Sequence, residues 1–99
     1  MKIAYPAKFE TDKDGRILVT LRDFAEAATD GADMDEAQRE AADLLDSTLM
    51  FRMAYREDIP VPSKARRSEE LISPDAEVAL KVARYIATCP NGVTSVIGE

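Results

Sequence analysis

The chain has 99 residues, enough for one domain with one modest core, and a domain of that size hides roughly two thirds of the surface its unfolded chain exposes. Its composition, 45% hydrophobic and 32% charged, is that of a globular protein, and no apolar run reaches the about 18 residues that a membrane span requires. A net charge of −6 opposes approach to nucleic-acid phosphates and favours a basic partner, while the absence of histidine removes the commonest general base and zinc ligand.

In chain order, Ile3, Tyr5, Ala7 and Phe9 recur at period two, the pattern of a half-buried strand over residues 3–9. Pro6 lies on the other side and cannot donate to a ladder, which predicts an edge strand or one unpaired there. Asp12-Lys13-Asp14-Gly15 is turn chemistry leading into Ile17, Val19 and Leu21, again in phase, so the two runs predict a hairpin. After a turn at Arg22-Asp23, the alanine-rich stretch from Phe24 to Thr29 reads as a third, weaker strand.

From Met34 to about Arg56, the residues Met34, Ala37, Ala41, Leu44, Leu45, Thr48 and Leu49 recur at helical spacing, with acids and Arg39 on the other faces. This helix, roughly 34 Å long at 1.5 Å per residue, is the expected lid over the strands. Pro60 and Pro62 end it, Lys64, Arg66 and Arg67 form a basic loop, and Glu70-Leu71-Ile72-Ser73 predicts a short fourth strand. Pro74 suits the first turn of a second helix carrying Val78, Ala79, Val82, Ala83 and Ile86, stopped by Cys89-Pro90-Asn91-Gly92. The fold class is therefore α+β, a small three- to four-stranded antiparallel-type sheet in the order β-β-β-α-β-α covered by one long helix, with a domain over 1–87 and a tail over 88–99.

Candidate sites are few. The acids from Asp30 to Glu36 keep no EF-hand register, nor does Asp12-x-Asp14; Asp33 instead suits a helix N-cap, with Glu36 completing a capping box and Gly31 the bend before it. A two-metal nuclease needs acids converging from the sheet, yet Glu10, Asp12, Asp14 and Asp23 fall in predicted turns. The Lys64, Arg66, Arg67 cluster is followed by Glu69 and Glu70 and has no interleaved aromatic residue, which favours a solvated loop over phosphate binding. Phe51, Met53 and Tyr55 exceed what the buried helix stripe needs and point to an apolar patch, as core or dimer contact before ligand binding. Cys89, the single cysteine, has no neighbouring base or cation and reads as an inert thiol. No metal or cofactor is expected. Nothing at the N-terminus addresses the chain for export, so a cytoplasmic location is the expectation.

The motifs together resemble the HicB antitoxin family of type II toxin–antitoxin pairs. Tyr5-Pro6-Ala7-Lys8-Phe9 with Asp14-Gly15 and Val19-Thr20 is similar to that family's opening hairpin, and Asp23-Phe24-x-Glu26-Ala27-x-Thr29-x-Gly31 to its strand before the helix. Glu36-Ala37 with Ala41 resembles the helix entry; Ile59-Pro60-Val61-Pro62-Ser63 and Val78-Ala79-Leu80-Lys81-Val82-Ala83-x-Tyr85 resemble later signatures. The resemblance implies a partial ribonuclease H-like core without nuclease activity. It also implies a HicA-like basic ribonuclease toxin as partner, neutralised by masking of its active histidine and RNA surface, to which complementary charge would steer it.

Toxin contact is expected at Asp23, Phe24, Glu26 and Asp30, acids beside one aromatic anchor in the family-like segment, with turn residues around a buried phenylalanine as the alternative reading. A homo-oligomer through a strand edge or the trailing helix is also expected. Relatives often carry a C-terminal operator-binding segment; the tail Gly92-Val93-Thr94-Ser95-Val96-Ile97-Gly98-Glu99 is too short for one, so operator DNA is a partner only if such a segment exists beyond this chain. A DNA-binding autoregulator and, more remotely, a metal-dependent nuclease using Glu10, Asp12 or Asp23 are the rival functions.

Overall fold

The computed structural model describes residues 3–88. The expected helix stop at Cys89-Pro90-Asn91-Gly92, the thiol of Cys89 and the tail beyond it lie outside these residues. Strands β1 (Tyr5–Thr11), β2 (Ile17–Leu21) and β3 (Phe24–Gly31) precede helix α1 (Met34–Ala54), which is followed by strand β4 (Glu69–Ile72) and helix α2 (Ala76–Thr88). The α+β class expected from periodicity is thus observed. The four strands form one sheet in the order β3-β2-β1-β4, with every neighbouring pair antiparallel.

The first hairpin closes as its residue types dictate. The Asp12 carboxylate accepts from the amides of Asp14 and Arg16 at 2.8 and 3.0 Å, and Gly15 takes φ +84°, a conformation glycine adopts without a Cβ clash.

Of the two placements expected from Pro6, the edge is not observed, because β1 is an inner strand, whereas the lack of a ladder partner at the proline's donor position is. Two bonds explain the tolerance: Asp12 N–H donates to the Arg16 carbonyl at 2.8 Å, and Arg22 N–H donates to the Pro6 carbonyl at 3.3 Å. Bonding direction alternates along an antiparallel ladder. Pro6, Lys8 and Glu10 therefore direct their backbone groups toward β2, while Tyr5 and Ala7 direct theirs toward β4. The donor that proline lacks would have pointed at Arg22, where β2 has already ended, so no donor is lost on the β4 side.

The same alternation carries across the sheet. Ile17, Val19 and Leu21 turn toward β3, where Gly31 and Thr29 answer them; Ala28 and Asp30 then direct their backbone groups away from the sheet. β3 is longer than the expected Phe24–Thr29 and its ladder is irregular near Thr20 and Leu21, where pairing jumps from Ala28 to Phe24.

α1 lies over the face carrying Tyr5, Ala7, Val19 and Leu21, and buries Ala37, Ala41, Leu45 and Leu49 against them, with Leu44 and Met53 partly buried. The small side chains of Ala37 and Ala41 let the helix approach the strands closely, Gly31 lying against the Ala37 backbone. Met34, expected on this stripe, is exposed instead, and burial on α1 begins at Ala37. Opposite α1, Lys8, Glu10, Leu18 and Thr20 are exposed on the other side of the sheet. In α2 the buried residues are Val82 and Tyr85, whereas Ala83, expected on the apolar stripe, faces solvent. Pro74 precedes that helix rather than opening it: Asp75 occupies the cap, its carboxylate accepting from Glu77 N–H at 3.0 Å and its carbonyl from Ala79 N–H at 2.9 Å. The Asp75 amide donates to Asp46 of α1 at 2.9 Å, which docks the second helix on the first.

Candidate interaction surface

The junction between β3 and α1 shows how the chain brings its acids together. Asp33 sits at the cap of α1 with φ −146° and accepts from Glu36 N–H at 2.8 Å. Glu36 does not return to the amide of Asp33, as a capping box would have it; its carboxylate accepts from Ala32 N–H, one residue earlier, at 2.6 Å. Gly31 is there because the helix backbone is there: a Cβ on it would lie 2.5 Å from the Ala37 nitrogen and 2.7 Å from the Ala37 Cα.

The four residues expected to contact a toxin are all engaged within the fold. Of the two readings open for Phe24, the buried one is observed: it is fully buried, its ring edge-on to Tyr5 at 4.9 Å with the Arg52 guanidinium 5.0 Å from its centre. An aromatic residue at the start of the third strand is where the apolar face needs volume, so it closes the core and offers no area to a partner. The Tyr5 hydroxyl beside it donates to the Pro60 carbonyl at 2.7 Å, and burial, reinforced by the charge of Asp23 and opposed by Arg52, pushes it above its ordinary pKa.

Asp23 accepts from the amide and hydroxyl of Ser63 at 2.8 and 2.6 Å, tying the β2–β3 turn to the proline loop. Glu26 is paired with Arg52 of α1 at 2.9 Å; burial pushes its carboxyl up, but its own backbone amide and Arg52 outweigh that and hold it below the usual range. Asp30 pairs with Arg16 at 2.9 Å, a hydrogen bond that lowers its pKa. Asp23 and Asp30 thus sit at opposite ends of β3, Glu26 and Asp30 being partly accessible and each neutralised by an arginine.

The nuclease candidates are likewise dispersed. Glu10 pairs with Lys8 at 3.3 Å, Asp12 holds the hairpin turn and Asp23 holds Ser63. Among the described residues, no three histidine, cysteine, aspartate or glutamate side chains gather as a metal site.

Two residues that sequence reasoning assigned only to the solvated helix faces stand out. Glu40 and Asp43 of α1, with Leu44 and Ser47, line an open groove of about 210 Å³ whose other wall is Ala28 and Thr29 of β3. Neither acid has an ion-pair partner among the described residues. Their spacing of three placed them on one helix face, but nothing in the sequence says that this face flanks the outer strand of a sheet. Elsewhere on α1, Phe51 and Tyr55 stack at 4.5 Å and are 54% and 66% exposed, whereas Met53 packs on the core. The expected apolar patch is therefore Phe51 and Tyr55 with Met50.

Comparison with known proteins places this domain. The model of the HicB-like antitoxins of bacterial toxin–antitoxin systems matches residues 4–83, from the first residues before β1 into α2. The chain belongs to the HicB-like antitoxin family. A curated relative, Antitoxin HicB 2 of Photorhabdus laumondii subsp. laumondii, is 37% identical over 78 residues, covering 79% of this chain and 54% of the relative. The chain thus spans about half the length of the curated HicB protein it matches. Among the described residues of this HicB-like domain, no helix is long and apolar enough to cross a membrane.

Proposed function

We propose that this chain is the antitoxin half of a toxin–antitoxin pair and neutralises a HicA-like basic ribonuclease by covering its active surface. The observation that carries the proposal is the family match over residues 4–83, which embraces the whole sheet and α1. The charge of −6 supports it: complementary fields raise encounter rates with a basic partner and fix its orientation. In this role the protein performs no bond-making; it acts in the cytoplasm, where a messenger-RNA-cleaving toxin finds its substrate. Operator binding is no part of the role proposed for these residues, since their charge opposes the DNA backbone. A homo-oligomer belongs to the proposal, because Met50, Phe51 and Tyr55 expose apolar area that association would remove from water.

The test is co-expression with the small basic protein encoded beside it. Restored growth and a co-eluting complex on a sizing column are expected; unabated toxicity with no complex refutes the proposal. Light scattering on the isolated chain reads the oligomeric state directly.

A further inference from the structure

We propose that the toxin docks by adding an extended, basic segment to the free edge of β3, a placement that rests on the antitoxin role proposed above. Three features of the edge converge. First, Ala28 and Asp30 direct their amides and carbonyls outward, and no described residue donates to or accepts from them. The next outward amide, Ala32, is closed by the Glu36 carboxylate at 2.6 Å. The chain therefore caps its own edge at one end and leaves two residues, spaced as a strand partner needs them, open.

Second, this stretch lacks the strongest guards against strand addition, and its two acids, Glu26 and Asp30, are each paired with an arginine. Between Phe24 and Gly31 there is no lysine and no proline, and although the irregular pairing begins beside Ala28, Ala28 and Asp30 themselves keep regular register with Thr20 and Leu18. Ala28, exposed and small, does not screen the backbone.

Third, the groove beside the edge selects the sign of the partner. Glu40 and Asp43 stand along it without a cation, so an incoming strand with lysine or arginine on its α1-facing side completes two ion pairs as its backbone completes the ladder. A second copy of this chain is the poorer occupant. Edge-to-edge pairing would bring the same two acids of each copy together within a pair of molecules each charged −6.

The experiment measures binding of the cognate HicA-like toxin, inactivated by substitution of its active histidine, to the full chain, to Ala28→Pro and to the double variant Glu40→Lys with Asp43→Lys. Ala28→Pro removes one outward donor and no bond to β2, and the lysine variant changes only side chains on the groove, so the second tests the proposal even where the first unfolds. The expected result is a loss of affinity of at least about tenfold for each variant, with a flatter salt dependence for the lysine pair. Slowed hydrogen exchange at the Ala28 and Asp30 amides in the wild-type complex is expected with it. Wild-type binding that both variants retain, with those two amides still exchanging, overturns the edge proposal while leaving the antitoxin role intact. Absence of wild-type binding overturns both. Dimers of the isolated chain that Ala28→Pro dissolves overturn the choice of occupant.

Discussion

The two edges of the sheet are finished in different ways. At β4 the chain fastens the start of its own margin: the strand has four residues, the Glu69 amide donates to the Arg66 carbonyl at 2.9 Å, and the Glu69 side chain, 6% exposed, takes a two-pronged hydrogen bond from Arg22 at 2.9 and 3.0 Å. Arg22 also donates to the Lys64 carbonyl at 2.6 Å, and Arg66 N–H donates to Glu69 at 2.8 Å, so one carboxylate fastens strand, turn and loop. At β3 the strand has eight residues and is anchored at its two ends, by Phe24 and by Gly31 under α1, with an open stretch between. The contrast shows that a small sheet need not guard both edges. An edge of four residues fastened to its own loop at Glu69 leaves one residue, Leu71, turned outward, whereas one held only at its ends keeps two, Ala28 and Asp30, as a short template.

The largest way to break this arrangement is Phe24→Ala, which removes the buried anchor of β3 and should cost about 3–5 kcal/mol. Chemical denaturation reads it, and a cost below about 1 kcal/mol would mean that the ring is not the anchor. At the other end, Gly31→Ala sets a methyl against backbone atoms of Ala37 that cannot rotate away; a loss of about 1–3 kcal/mol is expected by the same measurement.

The β4 side is tested by acid. The Arg22 hydrogen bond, with the Arg66 amide, holds the Glu69 carboxyl at about 2, below the ordinary 4.5. A folded-state pKa depressed in this way contributes stability above about 4.5 and loses it as the pH falls toward about 2. Glu69→Gln should therefore lower stability at neutral pH and flatten its decline across that window; a decline as steep as the wild type's would assign it to other carboxylates.

The finest measurement compares neighbouring amides of β3 in the free protein. Ala28 and Asp30, turned outward, should exchange at least about tenfold faster than Thr29 and Gly31, turned toward β2. Equal protection at all four would show the edge to be already occupied.

Much of this was legible in the residues. Period-two runs at Tyr5, Ala7, Phe9 and Ile17, Val19, Leu21, an aspartate-glycine turn and a helical stripe at Ala37, Ala41, Leu45 and Leu49 specify local structure through local periodicity. Asp33 could be assigned to a helix start because its bond reaches only to Glu36. Pro6 left an edge strand and a missing partner both open, and only the structure chose between them, because β2 stops just short of the residue the proline would have addressed. Phe24 left a buried and an exposed reading open because burial depends on what crosses above a residue, and α1 with Arg52 arrives from nearly thirty positions away in sequence.

Element types, turns, caps and the sign of the charge were decided by the sequence alone, since each depends on residues within a few positions of one another or on a simple sum. Strand order, and with it the identity of the free edge, was decided only by the tertiary structure, because pairing β4 beside β1 is a contact between distant segments that no local preference encodes. Glu40 and Asp43 become a site only once that order sets them beside an unpaired strand.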